Sequence, residues 1–144
     1  MMRIKLVKLH EVDSTNVYLC EHADCFNEEL VVVQADYQTS GKGQGQNGWE
    51  SKAGENLLYS LLVHPKKLPI KSQFFLSMAG ALSIKAVLDE YVDDITLKWP
   101  NDIYWKDCKL SGTLIELSVH AQVIQRCVYG VGLNVNQMEF DSDA

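Results

Sequence analysis

A chain of 144 residues, 47% of them hydrophobic, is sized for one domain around one core, and without low-complexity stretches or solenoid-length repeats it is neither disordered nor a repeat array. A net charge of −6 with only two arginines, Arg3 and Arg126, argues against nucleic acid as a partner. No apolar run approaches the roughly 20 residues that cross a bilayer, and the four cysteines and four histidines lack zinc spacing, so the expectation is a cytoplasmic protein with reduced thiols, no signal peptide and no membrane anchor.

Leu6 to Val12 reads as a strand, and Asp13 or Ser14 can cap a short helix through about His22, which puts a polar DSTN turn at a strand-to-helix junction. Leu30 to Tyr37 and Asn56 to Val63 are apolar, strand-like runs with a polar, glycine-rich loop at 41–54 between them. Ser72 can cap a strong helix in which Phe75, Met78, Ala79, Leu82 and Ala86 recur at helical spacing, so this stripe is expected to face the core. The acidic group Asp89, Glu90, Asp93 and Asp94 reads as a solvated helix end. Further strands follow at Ile95 to Trp99, Asp102 to Trp105, Lys109 to Val119 and Gln122 to Val135, with a turn at Lys106, Asp107 and Cys108. Clustered strands without regular βαβ alternation predict an α+β domain: a mixed, largely antiparallel sheet with helices packed on one face.

Three segments have residue types suited to chemistry. In Gln38–Trp49 four glycines fall within eight residues after a strand, which frees backbone N–H groups to wrap an anion while Lys42 adds a positive charge; a mobile surface loop is the other reading of the same residues. Gly43, Gly45 and Gly48 match a dinucleotide fingerprint only formally, because a strand rather than a helix is expected to follow, and a Walker loop fails because Lys42 is followed by Gly43. In the second segment, KWPND at 98–102 followed by KLSG at 109–112, Pro100 interrupts pairing and leaves the side chains of Asn101 and Asp102 free for a ligand, while Gly112 permits close approach to the strand. A turn with a solvated lysine is the alternative. The third is GVGLNVN at 130–136, where Asn134 can both donate and accept, although close packing explains its glycines equally well.

Taken in order, DSTN at 13–16, DYQTSGKGQGQNGW at 36–49, NLLYSLL at 56–62, LKWPND at 97–102, KLSGTLIEL at 109–117 and GVGLNVN at 130–136 resemble the biotin protein ligases over nearly the whole chain. The resemblance implies a fold of the class II aminoacyl-tRNA synthetase and biotin ligase type. It also implies ATP-dependent activation of biotin to biotinyl-AMP, with Mg²⁺ accompanying ATP, and transfer of biotin to a lysine of the carrier domain of a biotin-dependent carboxylase. Ser14, Thr15, Asn16 and Gln38 would hold the ureido ring, with Gly41, Lys42, Gly43, Gln44, Lys109 and Gly112 completing the biotin site. Lys42, Gln44, Trp49, Asn101, Lys109 and Asn134 would bind ATP. Lys109 and Asp102 would be catalytic, the first as a cation at the reacting carboxylate and α-phosphate, the second toward the carrier lysine. No side-chain metal ligand is assigned.

Two departures from the family pattern stand out. The usual GRGRxG loop here has Lys42 and Gln44 in place of its arginines, which removes one charge and the bidentate geometry of both. Family members also continue past the last motif into further catalytic structure and a small β-barrel, so 1–144 is expected to be a catalytic domain shortened at its C-terminal end, with no N-terminal DNA-binding domain. A lipoate or octanoate ligase and a non-catalytic module for biotin or biotinyl-AMP are the competing readings, and the sequence leaves a homodimer open.

Overall fold

A computed structural model describes residues 1–141 of the chain. Eight strands form one sheet: β1 (Ile4–Val12), β2 (Leu30–Gln38), β3 (Leu57–Val63), β4 (Leu68–Pro69), β5 (Ile95–Lys98), β6 (Asp102–Trp105), β7 (Cys108–His120) and β8 (Val123–Leu133). Two α-helices, α1 (Thr15–His22) and α2 (Gln73–Leu88), join them. The strand order is β1-β2-β3-β8-β7-β6-β5, with the short β4 beside β8. Every pairing is antiparallel except β1 with β2. The sheet is thus mixed and largely antiparallel, in an α+β domain.

The one parallel pair follows from connectivity. Parallel neighbours require a crossover, and α1 supplies it, so a single βαβ unit stands at the sheet edge where the sequence suggested no such alternation. At the other extreme β7 and β8 are joined by the two-residue turn Ala121-Gln122, both at positive φ, which matches the twist of a tight hairpin although neither residue is glycine.

The helices do not share a face of the sheet. Leu19 and Ala23 of the α1 region pack on Val31, Val33, Leu62 and Val128, whereas Leu76 and Ile84 of α2 pack on Cys127, Tyr129 and Val131. Neighbouring residues along β8 point to opposite sides, so one helix covers each face.

The stripe expected to be core is also found elsewhere. Phe75, Met78, Ala79, Leu82 and Ala86 of α2 are exposed, Phe75 to 63%, and the face turned inward carries Leu76, Gly80, Ala81 and Ile84. The reason is steric. A Cβ on Gly80 would lie 2.1 Å from Cζ of Tyr129, so α2 approaches β8 so closely at this point that only a glycine fits over the ring, with Leu76 and Ile84 packing to either side. In a helix that is apolar on nearly every side, periodicity alone does not tell which face does this.

Candidate active site

On the α1 face, period-two alternation brings particular residues into rows across the sheet. Ser60 of β3 is paired with Gly130 of β8, and Gly130 with Leu114 of β7; one step along, Leu58 pairs with Gly132, and Gly132 with Gly112. Three glycines therefore remove side chains from adjoining points of the sheet surface. The depression they leave is the floor of a cavity of about 190 Å³, walled by Ser14, Thr15, Asn16, Gln38, the loop 42–49 and the segment 100–102.

The polar end is built by the DSTN turn. Ser14 is the N-cap position of α1, without a side-chain cap bond, and Ser14, Thr15 and Asn16 are all buried. The Thr15 backbone N–H donates to Gln38 Oε1 at 2.8 Å, and the Thr15 hydroxyl lies 2.7 Å from that of Ser60. Ser60 donates to Asn16 Oδ1, while Asn16 Nδ2 donates to Glu116 Oε2 at 2.9 Å and to the Leu114 carbonyl at 3.3 Å. Asn16 sits where a side chain on residue 130 would be, since a Cβ on Gly130 would lie 2.1 Å from its Oδ1. Beneath it the Cys20 thiol is pushed up in pKa by burial and then by the neighbouring Glu116 carboxylate.

The charged end holds Lys109 and Asp102. Lys109 Nζ lies 3.0 Å from Asp102 Oδ1, with both side chains about a quarter exposed, and 5.9 Å from the centre of the Trp49 ring. The expectation that Asn101 and Asp102 have free side chains is corrected here. The amide of Asn101 donates to the Thr113 carbonyl, tying the segment between β5 and β6 to β7, and Asp102 is ion-paired. A buried amide beside a strand carbonyl that can accept from it is more stable paired than waiting for a ligand.

The glycine-rich loop is a small hairpin. Lys42 bridges Gly48, Gly43 N–H donates to the Asn47 carbonyl, Asn47 N–H to that of Gln44 and Trp49 N–H to that of Gly41. Three of the N–H groups expected to wrap an anion are thus engaged inside the loop itself. No helix opens after it; β3 follows, so the spacing of Gly43, Gly45 and Gly48 does not stand at a helix start as the dinucleotide fingerprint requires. Gly45 has φ +63°, a conformation glycine adopts freely.

Trp49 closes the cavity over the glycine floor, for a Cβ on Gly132 would lie 2.3 Å from its indole. Ligand pockets commonly enclose about 300–1,000 Å³, so the indole and the loop that carries it must yield to admit anything of that size. Limited proteolysis is expected to cut between Gly41 and Trp49 in the free chain and to be suppressed by biotin with MgATP; equal cleavage under both conditions would rule out closure of the loop on ligand.

Of the expected site residues, Ser14, Thr15, Asn16, Gln38, Lys42, Gly43, Gln44, Trp49, Asn101, Asp102, Lys109 and Gly112 line this cavity. Gly41 and Asn134 are not among its walls. Gly41 borders a second groove on the outer side of the loop, and Asn134 lies behind Lys109, donating to its carbonyl at 3.2 Å with its own Oδ1 buried and unpaired. Ser60, Thr113 and Glu116 were not singled out by sequence. For Ser60 and Glu116 the signal was present in NLLYSLL and KLSGTLIEL, as a hydroxyl and a carboxylate on the same sheet face as the glycines, whereas Thr113 faces the other way and takes part through its carbonyl, which accepts from Asn101.

The biotin/lipoate A/B protein ligase family model matches residues 10–134, and so spans every candidate residue from Ser14 to Asn134. The chain belongs to that family. Among relatives of the biotin/lipoate ligases, it is 37% identical to the biotin–[acetyl-CoA-carboxylase] ligase of Mycobacterium tuberculosis, covering 93% of this chain and 51% of that protein. It is 31% identical to the bifunctional ligase/repressor BirA of Bacillus subtilis, covering 92% of this chain and 41% of that one. The biotin protein ligase of Aquifex aeolicus, solved in complex with biotin and ATP, superimposes with a TM-score of 0.78 at 35% identity, over 96% of this chain and 55% of that chain. The chain therefore spans about half the length of these ligases, and what it shares with them is the segment that contains the cavity.

Proposed function

We propose that this chain activates biotin with ATP and passes it to a lysine of a biotin carrier domain. The observation that carries the reading is the convergence of five separated segments on one cavity, hydrogen-bonding at one end and charged at the other, in a chain similar to biotin ligases. The distribution of polarity suits a ligand with a ureido head and a carboxylate tail. Ser14, Thr15, Asn16 and Gln38 meet the head, the apolar floor and Trp49 meet the middle, and Lys109 meets the carboxylate.

In the first half-reaction a biotin carboxylate oxygen attacks the α-phosphorus of ATP, and the bond to pyrophosphate breaks. Two anions must approach each other, so fixed positive charge at the meeting point is the main requirement. Lys109 supplies it, with Lys42 nearby. In the second, a carrier lysine attacks the acyl carbon, AMP leaves with the bonding electrons, and Asp102 orients the amine or takes its proton. Among the described residues no group of three or more His, Cys, Asp or Glu is arranged to hold a metal, so Mg²⁺ would ride chiefly on ATP oxygens with Asp102 as the cavity's carboxylate. Bound there it would neutralise phosphate charge.

The deciding experiment is exchange of labelled pyrophosphate into ATP with biotin or lipoate as the acid. Biotin-dependent exchange is expected. Exchange driven by lipoate alone would replace the substrate, and tight biotin binding with no exchange would leave a binding module. Gln38→Ala is expected to weaken biotin by roughly tenfold or more, since Gln38 holds Thr15 in place and an unpaired buried partner costs about 1–3 kcal/mol; unaltered affinity by calorimetry would take Gln38 out of the site.

A further inference from the structure

We propose that Glu116 is a positioning residue that sets the direction of the hydrogen bonds at the ureido end of the cavity, so that Asn16 and Thr15 meet the ligand as acceptors. The proposal rests on the reading that this cavity takes biotin.

The available hydrogens fix the direction of each bond. An ionised carboxylate only accepts, so the side-chain bond between Glu116 Oε2 and Asn16 must be donated by the Asn16 amide nitrogen, 2.9 Å away. The second amide hydrogen goes to the Leu114 carbonyl at 3.3 Å. Both hydrogens of Asn16 are then engaged on the β7 side, and its Oδ1 is turned toward Ser60. Because Oδ1 can only accept, the single hydrogen of Ser60 points to it. Ser60 Oγ must then accept from Thr15, 2.7 Å away, which commits the only hydroxyl hydrogen of Thr15. Gln38 Oε1, 3.0 Å from that hydroxyl, is satisfied by the Thr15 backbone N–H at 2.8 Å.

The chain thus runs one way, from Thr15 to Ser60 to Asn16 to Glu116. Its members near the ligand retain lone pairs and no hydrogens. That is the complement of a ring with two N–H donors, and it offers nothing to a dithiolane, which has none. Without the carboxylate only the longer bond to the Leu114 carbonyl, 3.3 Å, is left to hold the Asn16 amide. Flipped, it would turn an NH₂ toward Ser60, whose hydroxyl would then accept and send its own hydrogen to Thr15, reversing the chain and freeing the Thr15 hydrogen. Glu116 does this from a half-buried position beside the second groove, in the same cross-strand row as Val128, Leu62 and Val31 of the core.

The test uses Glu116→Gln and Glu116→Met in the full chain. Glutamine preserves the size but can donate as well as accept, so it no longer fixes a direction; methionine removes the acceptor. Both are expected to fold, to raise the Kd and KM for biotin by roughly tenfold or more, and to leave the KM for ATP unchanged. In an Asn16→Ala background the effect on biotin should vanish, because Glu116 acts through Asn16. In the ligand-free wild type, the Asn16 side-chain NH₂ should exchange slowly with solvent by nuclear magnetic resonance, and quickly in either variant. A Glu116→Met chain with wild-type biotin affinity, an undiminished effect in the Asn16→Ala background, or unaltered exchange at Asn16 would each overturn the proposal. Should the wild type bind no biotin, the ligand reading fails and the acceptor role falls with it, while the exchange measurement still reports whether Glu116 orients Asn16.

Discussion

Lys109→Ala is expected to slow adenylate formation by about 10² to 10³ while changing biotin affinity far less, which corresponds to roughly 3–4 kcal/mol of transition-state stabilisation. Two features place the lysine for this role. It stands at the start of β7, where pairing with β6 fixes its backbone, and its ammonium is directed by Asp102 at 3.0 Å and by the Trp49 ring. Gln44 gives no charge at this end, so the cations lining the cavity are Lys42 and Lys109. In the free chain Asp102 acts as a stand-in anion. In the proposed first step the lysine would turn from Asp102 to the arriving carboxylate and α-phosphate, which would leave Asp102 unpaired before the second step calls for an acceptor.

Removing the lysine leaves the ureido end untouched, which is why binding and chemistry should separate. Pyrophosphate exchange and biotin calorimetry on the same folded preparation make the comparison. Near-normal exchange in the Lys109→Ala protein would put the catalytic cation elsewhere. Gln44→Arg, in turn, restores a charge on the loop and is expected to slow the release of biotinyl-AMP.

The strands were legible because their signal is local. The apolar runs in Leu30–Gln38, Leu57–Val63 and Val123–Leu133 mark strands directly, and the observed bounds lie within a residue or two of those the pattern suggests. What the local pattern lacks is a partner. The inward face of α2 is decided by Tyr129, about fifty residues away, whose ring leaves room only for Gly80. The amide of Asn101 is likewise decided by a carbonyl on β7. Glycines at 112, 130 and 132 were visible as small residues, but their purpose depends on what fills the space: Asn16 over Gly130, and Trp49 over Gly112 and Gly132. Glu116 was passed over for the same reason, since its partner Asn16 is a hundred residues upstream. Motifs therefore located the site, and long-range packing assigned the roles within it.

Gly130→Ala is expected to abolish high-affinity biotin binding, by about 10- to 100-fold, with a loss of stability of roughly 1–3 kcal/mol. The added Cβ would lie 2.1 Å from Asn16 Oδ1 and 2.8 Å from its Cγ, far inside contact distance. Ordinarily a side chain could swing aside. Here Asn16 is held by Ser60, Glu116 and the Leu114 carbonyl, so yielding means breaking bonds at the ureido end or lifting α1 from the sheet. Gly45→Ala is the control, because nothing lies within 4 Å of its Cβ position and the only penalty is the positive φ. It should perturb the loop and leave the ureido contacts alone. Pairing Gly130→Ala with Asn16→Ala separates packing from recognition: the double variant should recover most of the lost stability in thermal unfolding yet remain unable to bind biotin tightly. Full affinity in the Gly130→Ala single variant would mean that Asn16 moves freely and is not the pocket's fixed acceptor.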